Sequence, residues 1–545
     1  MPQAPRTSTP SASASSSSSG RMDVLAFVVI GVSAIWFCLA ANRYTVFDDE
    51  AFSCRLYTAP MSEMLNLQCV GADPDPPVYY ILQNASVHLL GVAPFALRFV
   101  SILCALASLI TIRGAARAWF GNRAGTIAML VAACHPAHLF FGFAARWYAL
   151  FLLLSTALLW LTGRLYRRNA MASRDAFAWG GLAALCALTN YFGLVVAGLL
   201  GLTLVVRFAG RREGRTSLMK LALTAVVLFA IWIRPFATHL ATFRHSSPSG
   251  SVLATLARML MALTTGNLAS VGAWWVIGPM AFVAMIGLLL LVQSWSRVAP
   301  VACVFIGCVL VGALTRTILD KYILTISGLA CVLLAGLLTR EGAGGSQRAI
   351  ILRAACGSCL ALAWMGCFVN LASQRHWSSL RWLDPIELAI DRAIASGAGP
   401  DLPIVATHPS VRYYVACRVA TEAGAATGGG STARAIDARR WRLAFMAQED
   451  PSTSASPLVT PDVMTERLKT GTGAGVVFTI QTSGFESLPD WSALITLLDA
   501  GYEPSRRSRF LKDDDAALKD RLDPTIHHAP WRITLTQWRR RDSGS

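Results

Sequence analysis

The stretch Val24–Leu56, VLAFVVIGVSAIWFCLAANRYTVFDDEAFSCRL, joins an apolar run long enough to cross a bilayer to three consecutive carboxylates, Asp48, Asp49 and Glu50. Taken alone, the acidic triplet is solvated, or caps a helix starting at Asp48. The rest of the chain changes that reading. With 545 residues, 54% hydrophobic and only 14% charged, and a mean hydropathy of +0.49, the sequence is too apolar for a soluble protein and reads as a polytopic membrane protein.

Apolar segments of span length fall at 23–42, 95–113, 124–141, 147–163, 176–190, 192–208, 219–236, 273–292, 298–315, 322–339 and 350–368, which predicts a mainly α bundle of about eleven spans. Residues 1–22 read as a disordered Ser-rich tail, and the first run lacks the small-residue cleavage site of a signal peptide. Lys and Arg concentrate in alternate loops: Arg113, Arg117 and Arg123; Arg164, Arg167, Arg168 and Arg174; Arg207 to Lys220; Arg297; Arg340 to Arg353. That alternation predicts a cytoplasmic amino terminus and places the loop from Arg43 to Pro94, with its acidic triplet, outside. Within this loop PPVYYILQNASVHLLG, Pro76–Gly91, is too short and too polar to cross, and is expected to lie along the membrane surface.

The net charge of +17 divides unevenly: 27 Lys and Arg against 11 Asp and Glu before residue 370, and 21 against 20 after it. The excess belongs to membrane topology, so no nucleic-acid partner is expected. Residues 370–545 have ordinary globular composition. Strand-like LPIVATH, GAGVVFTIQ and WRITLTQW alternate there with helical LDPIELAIDRAIASG and DWSALITLLDAG, predicting a small external α/β domain after a transmembrane domain at 23–369. Most cysteines lie in apolar runs as small core residues; Cys54 and Cys69 share the acidic loop and could pair in an oxidising compartment.

Charges at membrane depth are costly and need a partner or a task. On the external side stand Asp49, Glu50, Arg98, His135, His138, Arg146, Asn190, Tyr191, and Asp320 to Tyr322. The loop Ile231–Ala273 adds Arg234, Arg244, His245 and Arg258 without one carboxylate, against the positive-inside expectation. An anion bound at the outer interface would account for it. A carboxylate facing several cations suits transfer from a lipid-linked phosphate to a hydroxyl, the carboxylate taking the proton and the cations stabilising the departing phosphate.

FDDEAFSCRLYTAP, DPDPPVYYILQNASVHLLG, ALRFVSIL, AARWYALFLLL, TNYFGL and DKYIL occur here in an order and on a side of the membrane that resemble the class C membrane glycosyltransferases, in particular the protein O-mannosyltransferase and lipid A aminoarabinose transferase superfamily. The resemblance covers residues 23 to about 368. It implies a polyprenyl-phosphate sugar donor, inverting transfer to a lipid, glycan or protein hydroxyl on the outer face, and Asp49 as base, with Glu50 beside it and Asp48 able to substitute. It further implies that Lys321 and Tyr322 contact the donor phosphate and carries over Arg146; the external cations Arg98, Arg234 and Arg244 are expected to hold the phosphate with them. Asp75, Pro77, Tyr79, Tyr80, His138, Tyr148, Asn190 and Tyr191 would line the donor and acceptor paths. Many relatives carry Glu where this chain has Ala144, ahead of Ala145 and Arg146, so no obligatory metal or other cofactor is expected.

Plainer roles stand beside these. In these, Arg98 and Arg146 anchor span ends, His135 before Pro136 marks a kink, and Asn190 and Tyr191 close a turn. A lipid-linked sugar flippase or transporter would share the spans and external cations, but the chain shows no internal repeat and its charges gather at one interface. Eleven spans also exceed what a scaffold would need as an anchor.

Overall fold

The computed structural model describes residues 14–44, 46, 48–71, 73–245, 252–265, 274–315, 324–339 and 347–372, and beyond them 390, 392–393, 395–396, 404–406, 411, 413–417, 458–459, 461–469, 476–482, 489–510 and 533–541. All eleven apolar segments coincide with helices. Among the described residues, five helices are long and apolar enough to cross a membrane on their own: Asp23–Asn42, Pro94–Phe120, Tyr148–Tyr166, Trp295–Thr315 and Ile350–Val369. Arg212–Ala230 and Ile233–Ala241 make a sixth if counted as one span bent by 69°. The remaining expected spans are shorter apolar helices or broken ones; 124–141 divides into Asn122–Cys134 and Pro136–Phe141, because Pro136 has no amide hydrogen to continue the helical ladder past His135.

The helices that carry the site are α1 (Ala14–Arg43), α2 (Asp48–Tyr57), α3 (Met61–Cys69), α4 (Pro77–Leu90), α5 (Pro94–Phe120), α6 (Asn122–Cys134), α7 (Pro136–Phe141), α8 (Tyr148–Tyr166), α9 (Ser173–Ala187), α10 (Phe192–Phe208), α11 (Arg212–Ala230) and α12 (Ile233–His245). Proline sits in the first turn of α4, α5 and α7, where its fixed φ suits a helix start. Gly91 and Gly121, at φ 83° and 95°, close α4 and α5 in a region that β-carbons disfavour. The α5–α8 seam is close because Gly114 lies against the Trp160 indole and Gly163 against Trp119. Hydroxyls tie the seam as well, Thr111 and Thr156 at 2.6 Å, a bond favoured where lipid offers no alternative partner.

Toward the carboxyl end the described residues include a five-stranded sheet in the order β2-β1-β3-β5-β4, from β1 (Ile404–Val405), β2 (Leu458–Val459), β3 (Val476–Thr482), β4 (Tyr502–Phe510) and β5 (Ile533–Arg540). β1 pairs in parallel with β2 and β3, and β5 runs antiparallel to β3 and β4. Val405, Val477, Tyr502 and Trp538 of the sheet pack with Met464, Leu494 and Leu498 of the helices Pro461–Lys469 and Pro489–Gly501. The chain at 413–417 reaches the helical bundle: Tyr413 Oη donates to the Val92 carbonyl at 2.5 Å, and Tyr414 Oη accepts from the Val46 amide at 2.7 Å.

Candidate active site

Helix α2 begins on the acidic triplet and immediately turns Glu50 inward. Its carboxylate is fully buried and takes Arg98 Nε at 3.0 Å and Nη2 at 2.5 Å, with the Ala145 amide donating at 2.6 Å. Arg98 Nη1 donates to the carbonyls of Ala41 and Tyr44, at 3.0 and 2.6 Å, and its guanidinium lies over the Phe143 ring. Two charges this deep are tolerable only as a matched, fully hydrogen-bonded pair. The pair joins the end of α1, the start of α2, the first turn of α5 and the turn before α8. Arg98 and Glu50 are thus held by each other.

A second cluster surrounds Arg146. Nη2 meets Asp75 at 2.6 Å; Nη1 meets Asp73 at 3.0 Å, the Tyr80 hydroxyl at 3.1 Å, and the Ser53 hydroxyl. Ser53, at 3.1 Å, and Tyr80 in turn donate to Asp73 Oδ2. Tyr57 Oη donates to the Ala145 carbonyl at 3.0 Å, and Ser101 Oγ to that of Arg146 at 3.3 Å, holding the turn from both sides. Burial pushes the Asp75 carboxyl up to about 7, against the opposing pull of Arg146. Asp73, Ser53 and Tyr57 were not singled out by the sequence. Asp73 had one signal, its two-residue spacing from Asp75 just ahead of the Pro-Pro helix start.

Asp49 differs from these carboxylates in access. It is half-buried, with Tyr148 Oη donating to it at 3.4 Å, whereas Glu50, Asp73 and Asp75 are 0, 4 and 7% exposed. Asp48 begins the same helix, and its side chain lies outside the described residues. A half-buried carboxylate on a rigid helix start can receive a proton while its neighbour fixes the backbone.

The other expected residues divide. Pro77 opens α4, and Tyr79 Oη meets Ser101 at 2.8 Å beneath it. Asn190 Oδ1 accepts from the Phe192 amide at 2.9 Å, as a turn residue does. Tyr191 accepts from Trp232 Nε1 at 3.1 Å and donates to His239 Nδ1 at 2.7 Å, and His239 Nε2 donates to the Gln68 carbonyl at 2.7 Å. This relay links α10 and α12 to α3; His239, unnoticed in the sequence, is its centre. His135 donates to the Leu263 carbonyl at 2.6 Å and accepts from the Ala137 amide at the kink, while His138 is buried edge-on to Phe37. Arg234 is exposed on α12. Lys321 and Tyr322, and the side chain of Arg244, lie outside the described residues. Cys54 and Cys69 carry free thiols, so the disulfide allowed by the sequence is not formed.

Among the described residues no three His, Cys, Asp or Glu side chains converge on a point that could hold a metal ion. The buried carboxylates here already face guanidinium groups, Glu50 that of Arg98 and the two aspartates that of Arg146.

Residues 74–236, which include Asp75, Arg98, Arg146 and Tyr191, match the family model of dolichyl-phosphate-mannose-protein mannosyltransferase. No curated protein matches the chain in sequence. Among solved structures, ArnT from Cupriavidus metallidurans in the apo state superimposes with a TM-score of 0.53 and 16% identity, covering 96% of this chain and 98% of that one. ArnT from the same organism bound to undecaprenyl phosphate gives 0.50 and 14%, with the same coverage. At such identities the likeness is one of fold. Residues 74–236 are thus similar to the dolichyl-phosphate-mannose-protein mannosyltransferases, and the chain as a whole shares the fold of ArnT.

Proposed function

We propose that the enzyme moves one sugar from a polyprenyl phosphate to a hydroxyl of a lipid, glycan or protein at the external membrane face, with Asp49 as base. The observation that carries this reading is the contrast within one helix turn: Glu50 sealed by Arg98, Asp49 half-exposed beside Tyr148. Asp49 takes the acceptor proton as the acceptor oxygen bonds to the anomeric carbon. The bond from that carbon to the phosphate oxygen breaks on the opposite side, so configuration inverts and polyprenyl phosphate leaves as an anion. In this reading Arg98 and Arg146 position the acidic loop, and Lys321, Tyr322, Arg234 and Arg244 stabilise the leaving phosphate. Helix α4, with Leu89 and Leu90 exposed below its buried tyrosines, lies in the interface beside the donor. The amino terminus is cytoplasmic and the carboxyl-terminal sheet external. No divalent metal is required: the glutamate that many relatives carry is Ala144 here, and Asp73 and Asp75 both already pair with Arg146.

The test is transfer of radiolabelled sugar from a panel of polyprenyl-phosphate sugars to endogenous acceptors in membranes carrying wild type, Asp49→Asn or Asp48→Asn. Use of one donor, abolished only in Asp49→Asn at normal expression, supports the reading. Wild-type transfer by Asp49→Asn removes the base assignment, and consumption of no donor removes the enzyme reading.

A further inference from the structure

At the end of α5 and α8 away from the acidic loop, the two helices line an open cavity of about 510 Å³, within the range that holds small ligands. Five arginines line it: Arg113 and Arg117 from α5, and Arg164, Arg167 and Arg168 from the end of α8. Two are matched by carboxylates, Arg113 with Asp23 at 2.6 Å and Arg168 with Asp175 at 2.7 Å. Arg167 donates to the Trp119 carbonyl at 2.7 Å. Arg117 and Arg164 have no ion-pair or hydrogen-bond partner among the described residues, and the cavity keeps an uncompensated positive charge. Arginines that serve only membrane topology need no concavity; here Gly114 lets the Trp160 ring settle against α5 and form the wall of one.

The depth and surroundings of this cavity select its ligand. Arg98 and Arg117 are nineteen residues apart on one helix, about 28 Å at 1.5 Å per residue, which puts the cavity at the opposite headgroup level from the acidic loop. Leu103, Ile110 and Arg117 recur every seven residues, so they share a face of α5, and all three are exposed. An apolar track therefore runs from the middle of the membrane into a pocket of guanidinium groups. We infer that this cavity is a binding site for an anionic glycerophospholipid, its phosphate held by Arg117 and Arg164 and an acyl chain lying along Ile110 and Leu103. Guanidinium forks suit phosphate oxygens, and basic pockets between spans on this side are suited to lipid headgroups. The inference does not depend on which sugar or acceptor the enzyme uses.

The experiment is native mass spectrometry of the full-length protein in mild detergent, titrated with phosphatidylglycerol, diphosphatidylglycerol or phosphatidylcholine, with inorganic phosphate as competitor. The wild type is expected to bind the anionic lipids about tenfold more tightly than phosphatidylcholine, and Arg117→Ala/Arg164→Ala to lose that preference. Arg212→Ala, a basic residue on the α11 start and outside the cavity lining, is expected to keep it. Arg117→Gln/Arg164→Gln, which preserves side-chain bulk, replaces the alanine pair if that pair is not recovered folded. Equal retention of phosphatidylcholine, or unchanged anionic preference in the double variant, overturns the site. Displacement of the lipid by millimolar inorganic phosphate overturns the lipid assignment in favour of a soluble anion.

Discussion

Glu50 and Arg98, 48 positions apart, meet fork to fork with both side chains fully buried. Removing one partner leaves the other charged and dry, so Arg98→Ala is expected to cost about 3–5 kcal/mol. Arg98→Met/Glu50→Gln, which removes both charges, should cost less than either single truncation. Thermal melts of the detergent-solubilised variants check the order; a double variant no more stable than Arg98→Ala would show that the pair is not what holds α2 to α5.

Asp75 supplies a pH dependence of stability. Its folded value of about 7 lies above the ordinary carboxyl value of 3.8, so the folded protein holds this proton more tightly than the unfolded chain. Its contribution is therefore fully present below about pH 4 and is lost as pH rises through 7. Asp75→Asn should flatten that decline. Melting temperatures of wild type and variant between pH 5 and 8 should diverge as the pH rises, with wild type falling relative to Asp75→Asn; parallel curves would contradict the assignment.

Arg146 stands between Asp73 and Asp75 where a cation is needed. Sugar transfer in membranes stripped with a chelator should accordingly be unchanged. Complete loss restored by magnesium or manganese would refute the metal-independent mechanism.

Gly193 packs its α-carbon on the main chain of Cys186, where a Cβ would come within 2.5 Å of the carbonyl. Gly193→Ala should therefore destabilise the α9–α10 junction by about 1–3 kcal/mol. Gly198→Ala, one turn on and facing open space, should be neutral or slightly stabilising. The two melting temperatures, measured side by side, check the contrast.

The helices were legible because apolar composition over a span's length constrains the backbone to a helix wherever lipid surrounds it. Their lengths were less so. The break at His135–Pro136 follows from a missing amide hydrogen, and the 69° bend between α11 and α12 has a comparable mark in Pro235, which has no amide hydrogen to give to the Ile231 carbonyl. In the candidate site, the acidic triplet marks the start of α2, but nothing local tells Glu50 from Asp49. That distinction is made by Arg98 from another helix. Arg146 finds Asp73 across 73 positions, and Tyr191 finds His239 across 48; pairings at such separation follow from the packed helices. Strand β4, YEPSRRSRF, escaped notice because its arginines and Pro504 mark a polar sheet edge and give no alternating apolar signal.

The hydrogen bond from the Val46 amide to Tyr414, 368 positions later, also sets a timetable. A ribosome adding 5–20 residues per second needs roughly 20–70 seconds to travel from one to the other. Throughout that interval the segment leading into α2 has been made but lacks the partner that completes it. The segment leading into α2 in a nascent chain should stay open to added protease until about three-quarters of the 545 residues have been made, and a pulse-chase digestion would time its closure.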